Sequence, residues 1–121
     1  MYFRSKKTFD KYNKYKEEKG ADKQCRFCDE MSPEKKYSFK YWKILHNDFP
    51  YDLLTKKHDM IVPKRHFKTE DKMTQEERDE LIKIKSRVIS RWEEYDSMME
   101  NFAPARSMEH YHIHLMKFRG A

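Results

Sequence analysis

The sequence predicts a single α+β domain, a sheet of which two strands pair as a hairpin, with one long helix packed on it. Three observations carry that prediction. Residues 37–45, 58–63 and 108–118 are rich in aromatic and β-branched residues or alternate with period two, as strands do. Residues 74–96 repeat apolar side chains at three- and four-residue spacing behind a helix-start signal. A chain of 121 residues leaves room for one core and no second one.

In chain order, residues 1–24 are rich in Lys and Tyr, with Phe9, Tyr12 and Tyr15 at intervals of three that suit successive helical turns. From Tyr37 to Leu45 the run YSFKYWKIL reads as one strand, with Tyr37, Phe39, Tyr41 and Lys43 on one face. After Asn47-Asp48-Phe49-Pro50 a second strand, His58–Pro63, stops at its proline before the basic Lys64-Arg65-His66. These two strands are expected to pair. Thr74-Gln75-Glu76-Glu77 is a capping box, in which the Thr and Glu side chains satisfy each other's exposed amides. The helix it opens is expected to run to about Asp96, with Leu81, Ile84, Val88, Trp92 and Tyr95 on its apolar face and Ile82 and Ile89 widening the stripe. Met108–Phe118 then alternates two classes of side chain as a strand does.

Composition bounds the partners. Charged residues make up 40% of the chain and apolar ones 37%, close to the balance at which a chain cannot bury enough surface to order itself. Aromatics at 15% supply large buried areas per residue, and a metal staple would help them. No apolar run approaches a membrane span and Met1–Lys7 does not resemble a signal peptide, so a cytoplasmic protein without membrane contact is expected. In that compartment Cys25 and Cys28 point to metal binding or redox chemistry before a disulfide. Residues 1–24 hold eight basic and four acidic side chains, four of the six net positive charges, so the remainder is only mildly basic. For this arm two readings stay open: a helix docked on its own domain, or a contact to nucleic acid.

His110, His112 and His114 occupy alternate positions, so on a strand all three imidazoles leave one face while Tyr111, Ile113 and Leu115 enter the core. One zinc ion held by all three is disfavoured. The backbones of His110 and His114 would stand roughly 13 Å apart, against zinc–nitrogen bonds of about 2 Å. The spacing favours divided labour: one outer histidine for structure or metal, the central one for chemistry, the other outer one for phosphate oxygens.

The run His110-Tyr111-His112-Ile113-His114-Leu115-Met116 resembles the signature of the histidine triad (HIT) family. Cys25-Arg26-Phe27-Cys28 is similar to the C-x-F-C that opens many members, Asn47-Asp48-Phe49-Pro50 to their N-x-x-P turn, and His58–His66 to the strand that ends in P-K-x-H. These blocks stand in family order, with the long helix between the last two, and cover about residues 25–118. The resemblance implies an antiparallel sheet of about five strands with a long helix on it, often paired into a homodimer, and divides the chain into an arm, 1–24, and a triad domain, 25–121.

It further implies a nucleotide phosphohydrolase with His112 as nucleophile. His112 would attack the α-phosphate of a nucleoside phosphoramidate or dinucleoside polyphosphate and form a nucleotidyl-histidine that water opens. His114 would contact phosphate and assist the leaving group, and Ser107 matches the family's hydroxyl before the triad. Asn47, Phe49, Asn101 and His58 fall where members hold nucleotide or face the triad. Turn-forming asparagines, a loop serine and a surface histidine are the plain alternatives for these residues. Cys25, Cys28, His66 and His110 match the ligand set of zinc-bearing members, and two thiolates with two imidazoles form a closed, structural tetrahedral site. Reduced free cysteines are the alternative. Histidine at the third triad position, in place of glutamine, resembles the hydrolase branches and makes water the acceptor.

The loop Asn101–Ser107, NFAPARS, lacks the family's Gly-rich run. Arg106 there stands where Gln is usual, either as a bidentate phosphate contact or as a solvated side chain. The segment after Asn47 is about three residues longer than the usual turn. Two other functions compete: a nucleic-acid end-processing hydrolase of the deadenylating or decapping kind, and a non-catalytic nucleotide-binding module. The sequence names neither base, leaving group nor pathway.

Overall fold

The computed structural model describes residues 3–19, 25, 27–28, 35–91, 93–102 and 110–120. Helix α1 spans Lys6–Lys19, strand β1 Lys35–Ser38, β2 Trp42–His46 and β3 Thr55–Pro63. A single 3₁₀ turn, Glu70–Lys72, leads into α2, Gln75–Ser90, and β4, Ser97–Met99, precedes β5, Ile113–Phe118. The five strands form one antiparallel sheet in the order β1-β2-β3-β5-β4. No helix among the described residues is long and apolar enough to cross a membrane.

The stretch expected as one strand over Tyr37–Leu45 is two. β1 turns back on β2 through residues 39–41, with Tyr37 opposite Ile44 and the Phe39 amide bonded to the Trp42 carbonyl at 2.8 Å. The turn is stabilised from a distance, because Glu80 on α2 accepts the amides of Tyr41 and Trp42 at 2.8 and 3.1 Å. β2 pairs with β3 as expected, Trp42 opposite Pro63 and His46 opposite Asp59, although β3 starts at Thr55, ahead of His58.

Helix α2 begins at the capping box, where Thr74 Oγ1 accepts from the Glu77 amide and Glu77 Oε1 from the Thr74 amide. It ends at Ser90, short of Asp96, so Tyr95 reaches the core from the connection to β4. Leu81, Ile84 and Val88 are buried, but Ile82 and Ile89 are 59% and 69% exposed and do not widen the packed stripe. Trp92 lies outside the described residues.

The sheet has two packed faces. α2 covers Trp42, Ile44, Ile61, Tyr111, Ile113 and Leu115. On the opposite face Phe27, Leu45, Met60 and Val62 form a second cluster. Side chains alternate along a strand, so whatever neighbours the first set in sequence lies on the second face. That places His58 and the triad together: Met60 pairs with His114, and Ile61 with Ile113.

Candidate functional site

His110 and His112 stand just before β5, His110 at a bend, and His114 lies within the strand. The Tyr111 amide donates to the Phe67 carbonyl at 2.7 Å and holds this approach in register. All three imidazoles are buried, as are Tyr111, Ile113 and Leu115 on the other face. His112 Nδ1 lies 2.9 Å from the His110 carbonyl. A carbonyl only accepts, so Nδ1 carries the proton and Nε2 carries the lone pair. The Phe27 ring stands edge-on to His110 and His112, at 5.8 and 5.3 Å between centroids, and supports both.

A second chain of tautomers runs through His58. The Tyr51 amide donates to His58 Nδ1 at 3.0 Å, so His58 carries its proton on Nε2. Nε2 lies 2.8 Å from His114 Nδ1, which must therefore accept, and His114 carries its proton on Nε2. Asn47 Oδ1 accepts the Phe49 amide at 2.8 Å, which orients its NH₂ toward His58 Nε2 at 3.3 Å. Two donors face each other there, so that approach is packing and not a hydrogen bond. His114 Nε2 is buried and has no hydrogen-bond partner among the described residues. A backbone amide thus dictates, through two rings, an N–H donor beside His112.

Burial pushes His58 down to about 3 and His114 down to about 2, and nearby cationic groups, Arg4 among them, act in the same direction. Both rings are neutral at physiological pH, as the tautomer chain requires. Nothing in the residue pattern singles out Tyr51, yet its ring lies 4.5 Å from His58 and 5.4 Å from His114. The only signal for it was the lengthened segment after Asn47. Asn101 lies beside the Tyr51 hydroxyl and acts to lower its pKa, which brings that residue to the site. Phe49 is buried beneath α1, against the rings of Tyr12 and Tyr15. Ser107 and Arg106 lie outside the described residues.

Beside the triad, one nitrogen or sulfur atom from each of Cys25, Cys28, His66 and His110 falls within 4.8 Å of the other three. His110 Nδ1 is 3.3 Å from Cys25 Sγ, 3.4 Å from Cys28 Sγ and 3.0 Å from His66 Nδ1. A tetrahedral ion with metal–sulfur bonds of about 2.3 Å and metal–nitrogen bonds of about 2.0 Å needs ligand atoms roughly 3.3–3.8 Å apart, so the donor set fits. His110 Nε2–H donates to the Pro63 carbonyl at 2.8 Å, leaving the Nδ1 lone pair toward the cluster. Burial, the leading cause, also pushes His110 down to about 4, toward the neutral form that binds metal. The buried Lys43 donates to the Phe27 carbonyl between the cysteines and fixes their loop. These four residues can hold a metal such as zinc.

The HIT domain family model matches residues 30–120. Among solved structures, a HIT family hydrolase from Legionella pneumophila superposes with a TM-score of 0.59 at 21% identity, covering 77% of this chain and 91% of that one. A HIT family hydrolase from Clostridium thermocellum gives 0.59 at 20% identity over 78% and 90% of the two chains. A histidine triad nucleotide-binding protein from Candida albicans gives 0.59 at 18% identity over 81% of each. At these identities the likeness speaks for the fold. Among curated proteins no sequence matches the chain.

Proposed function

The chain belongs to the HIT domain family, and from that membership we propose that it is a nucleotidyl hydrolase acting at the α-phosphate of a nucleoside phosphoramidate or dinucleoside polyphosphate. The observation that carries this reading is the bond from His112 Nδ1–H to the His110 carbonyl, which makes Nε2 the atom that offers a lone pair as nucleophile whenever the ring is neutral. Nε2 attacks phosphorus, the bond from phosphorus to the leaving atom breaks, and its electron pair departs with the leaving group. The nucleotidyl-imidazolium keeps Nδ1–H, and its positive charge strengthens the bond to the carbonyl. Water then attacks phosphorus, the phosphorus–nitrogen pair returns to Nε2, and one proton goes to solvent.

His114 would serve as a hydrogen-bond donor to a phosphoryl oxygen, not as an acid, since losing Nε2–H from a neutral ring would leave an anion. Ser107, Asn101 and Arg106 are assigned to substrate contacts, and Asn47 and Phe49 to the wall of the nucleotide pocket. Cys25, Cys28, His66 and His110 would hold zinc as a structural ion. Zinc there would join separate segments, while the steps at phosphorus belong to the histidines. Tyr12 and Tyr15 contact Phe49, which favours a small nucleotide over nucleic acid stacked along α1.

Incubation of the purified chain with adenosine phosphoramidate, diadenosine polyphosphates, capped RNA and adenylated DNA tests the substrate class. His112→Ala is expected to lower turnover by on the order of a thousandfold or more while nucleotide binding stays measurable. Near wild-type turnover in that variant would remove His112 from the role. Turnover confined to the RNA or DNA ends would make the chain an end-processing enzyme.

A further inference from the structure

Arg4 lies outside residues 30–120, which the family model matches, yet it is held at the edge of the histidine site. Its Nε–H donates to the Phe49 carbonyl at 2.7 Å. Its Cζ lies 4.5 Å from the centre of the Tyr12 ring and 4.8 Å from that of Tyr51. The residues on either side are fastened to the same loop. The Leu53 amide donates to the Phe3 carbonyl at 3.0 Å, and the Ser5 amide to Asp52 Oδ1 at 2.6 Å.

This mounting orients a cation without neutralising it. Ring faces hold a guanidinium through its π surface, and one edge bond uses Nε, so among the described residues none takes the in-plane Nη donors, whose fork suits a bidentate anion contact. No ion pair with a described carboxylate engages Arg4. The side chain is only half-buried. Tyr51, the ring it covers, is also the ring beside His114 and His58. Arg4 therefore stands across one aromatic ring from the donor assigned to the attacked phosphate, and no described contact joins it to His112 or His114.

Resting on the hydrolase reading above, we infer that Arg4 binds a phosphoryl group one position beyond the phosphorus attacked by His112, so that the preferred substrates are nucleotides whose leaving group is itself a phosphate. A polyphosphate chain supplies that anion, whereas the amine of a phosphoramidate does not. The neutral His114 fits the same choice, because a phosphate leaving group departs without needing a proton.

The test compares ADP with AMP as probes of the full chain by calorimetry, alongside the Arg4→Gln and Arg4→Lys variants. The wild-type chain is expected to bind ADP at least tenfold more tightly than AMP, with a gap that narrows as salt rises. Arg4→Gln should bring the ratio near one, and Arg4→Lys, keeping the charge but losing the fork, should retain part of it. A residue that only fastened α1 would weaken both nucleotides together and leave the ratio unchanged, and that outcome overturns the inference. Equal affinity of the wild-type chain for ADP and AMP overturns it as well, even if Arg4→Gln fails to fold. Loss of turnover in His112→Ala together with equal ADP and AMP affinity would overturn the Arg4 contact alone. A tenfold ratio in a chain without turnover would overturn the hydrolase reading alone. Failure to bind either nucleotide overturns both.

Discussion

His58 and His114 share one proton between facing nitrogens, and the Tyr51 amide decides which ring donates it. That arrangement exists only while both rings are neutral, which has a consequence for stability. Each has a folded pKa well below the 6.5 of a free imidazole, so the unfolded chain binds protons that the folded one refuses. The contribution is fully present above pH 6.5 and is lost as pH falls toward about 3 for His58 and about 2 for His114. Between pH 7.5 and pH 5 the linkage amounts to about 2 kcal/mol for each ring, in a window above most carboxylate titration. Denaturant unfolding of the wild-type chain should show this loss, and His58→Gln should remove close to half of it. Equal unfolding free energies at the two pH values would mean that the rings are solvated and the tautomer chain is not kept.

Helix α1 is anchored by a charge it does not carry. Its first turn has no acidic residue, although a helix N-terminus favours negative charge there. Asp52, in the loop before β3, supplies it by accepting from the Ser5 amide, the Ser5 hydroxyl and the Thr8 hydroxyl at 2.6, 2.7 and 2.5 Å. Burial alone would raise the Asp52 carboxyl, but the Thr8 and Ser5 bonds outweigh it and hold it below the usual range. Ser5 Oγ in turn accepts the Thr8 amide at 3.3 Å as an N-cap. Asp52→Ala should cost about 1–3 kcal/mol of stability and Asp52→Asn less, because an amide oxygen still accepts. A change below about 0.3 kcal/mol on chemical unfolding would mean that α1 is not docked. Of the aromatics at helical spacing, Tyr12 is buried but Phe9 is 42% exposed, so their shared spacing did not place both against the domain.

Across the whole molecule, the cysteine–histidine cluster joins the Cys25–Cys28 loop to the chain after β3 and to the approach to β5. His110 belongs to the cluster through Nδ1, and its carbonyl orients His112, so the donor set and the ring proposed as nucleophile depend on one residue. Protein prepared without chelator is expected to contain a single zinc ion per chain. Its removal should lower Tm by roughly 10 °C or more and depress turnover with it. Elemental analysis that finds no metal would return the cysteines to ordinary thiols.

The sequence by itself determined the parts that depend on local periodicity and local chemistry. Period-two alternation placed the three triad imidazoles on one sheet face and Tyr111, Ile113 and Leu115 on the other, and Thr74 and Glu77 fixed where α2 begins because a capping box is complete within four residues. The spacing of Cys25 and Cys28 left metal binding and redox chemistry open, the family resemblance implied a set with His66 and His110, and the fold brings those four side chains together from distant segments. What only the tertiary structure decided rests on partners far away in sequence. The turn between β1 and β2 contains neither Gly nor Pro, and its amides are satisfied by Glu80 on α2, so YSFKYWKIL reads as one strand until that helix is in place. The end of α2 at Ser90 and the short β4 follow from Tyr95 packing in the core and from Ser97–Met99 pairing with β5, neither of which periodicity registers. Arg4 carries no local signature, and Tyr51 only the added length of the segment after Asn47. They reach the site because a ring and a guanidinium act through space, and only the folded chain brings residues 4, 12, 51 and 114 together.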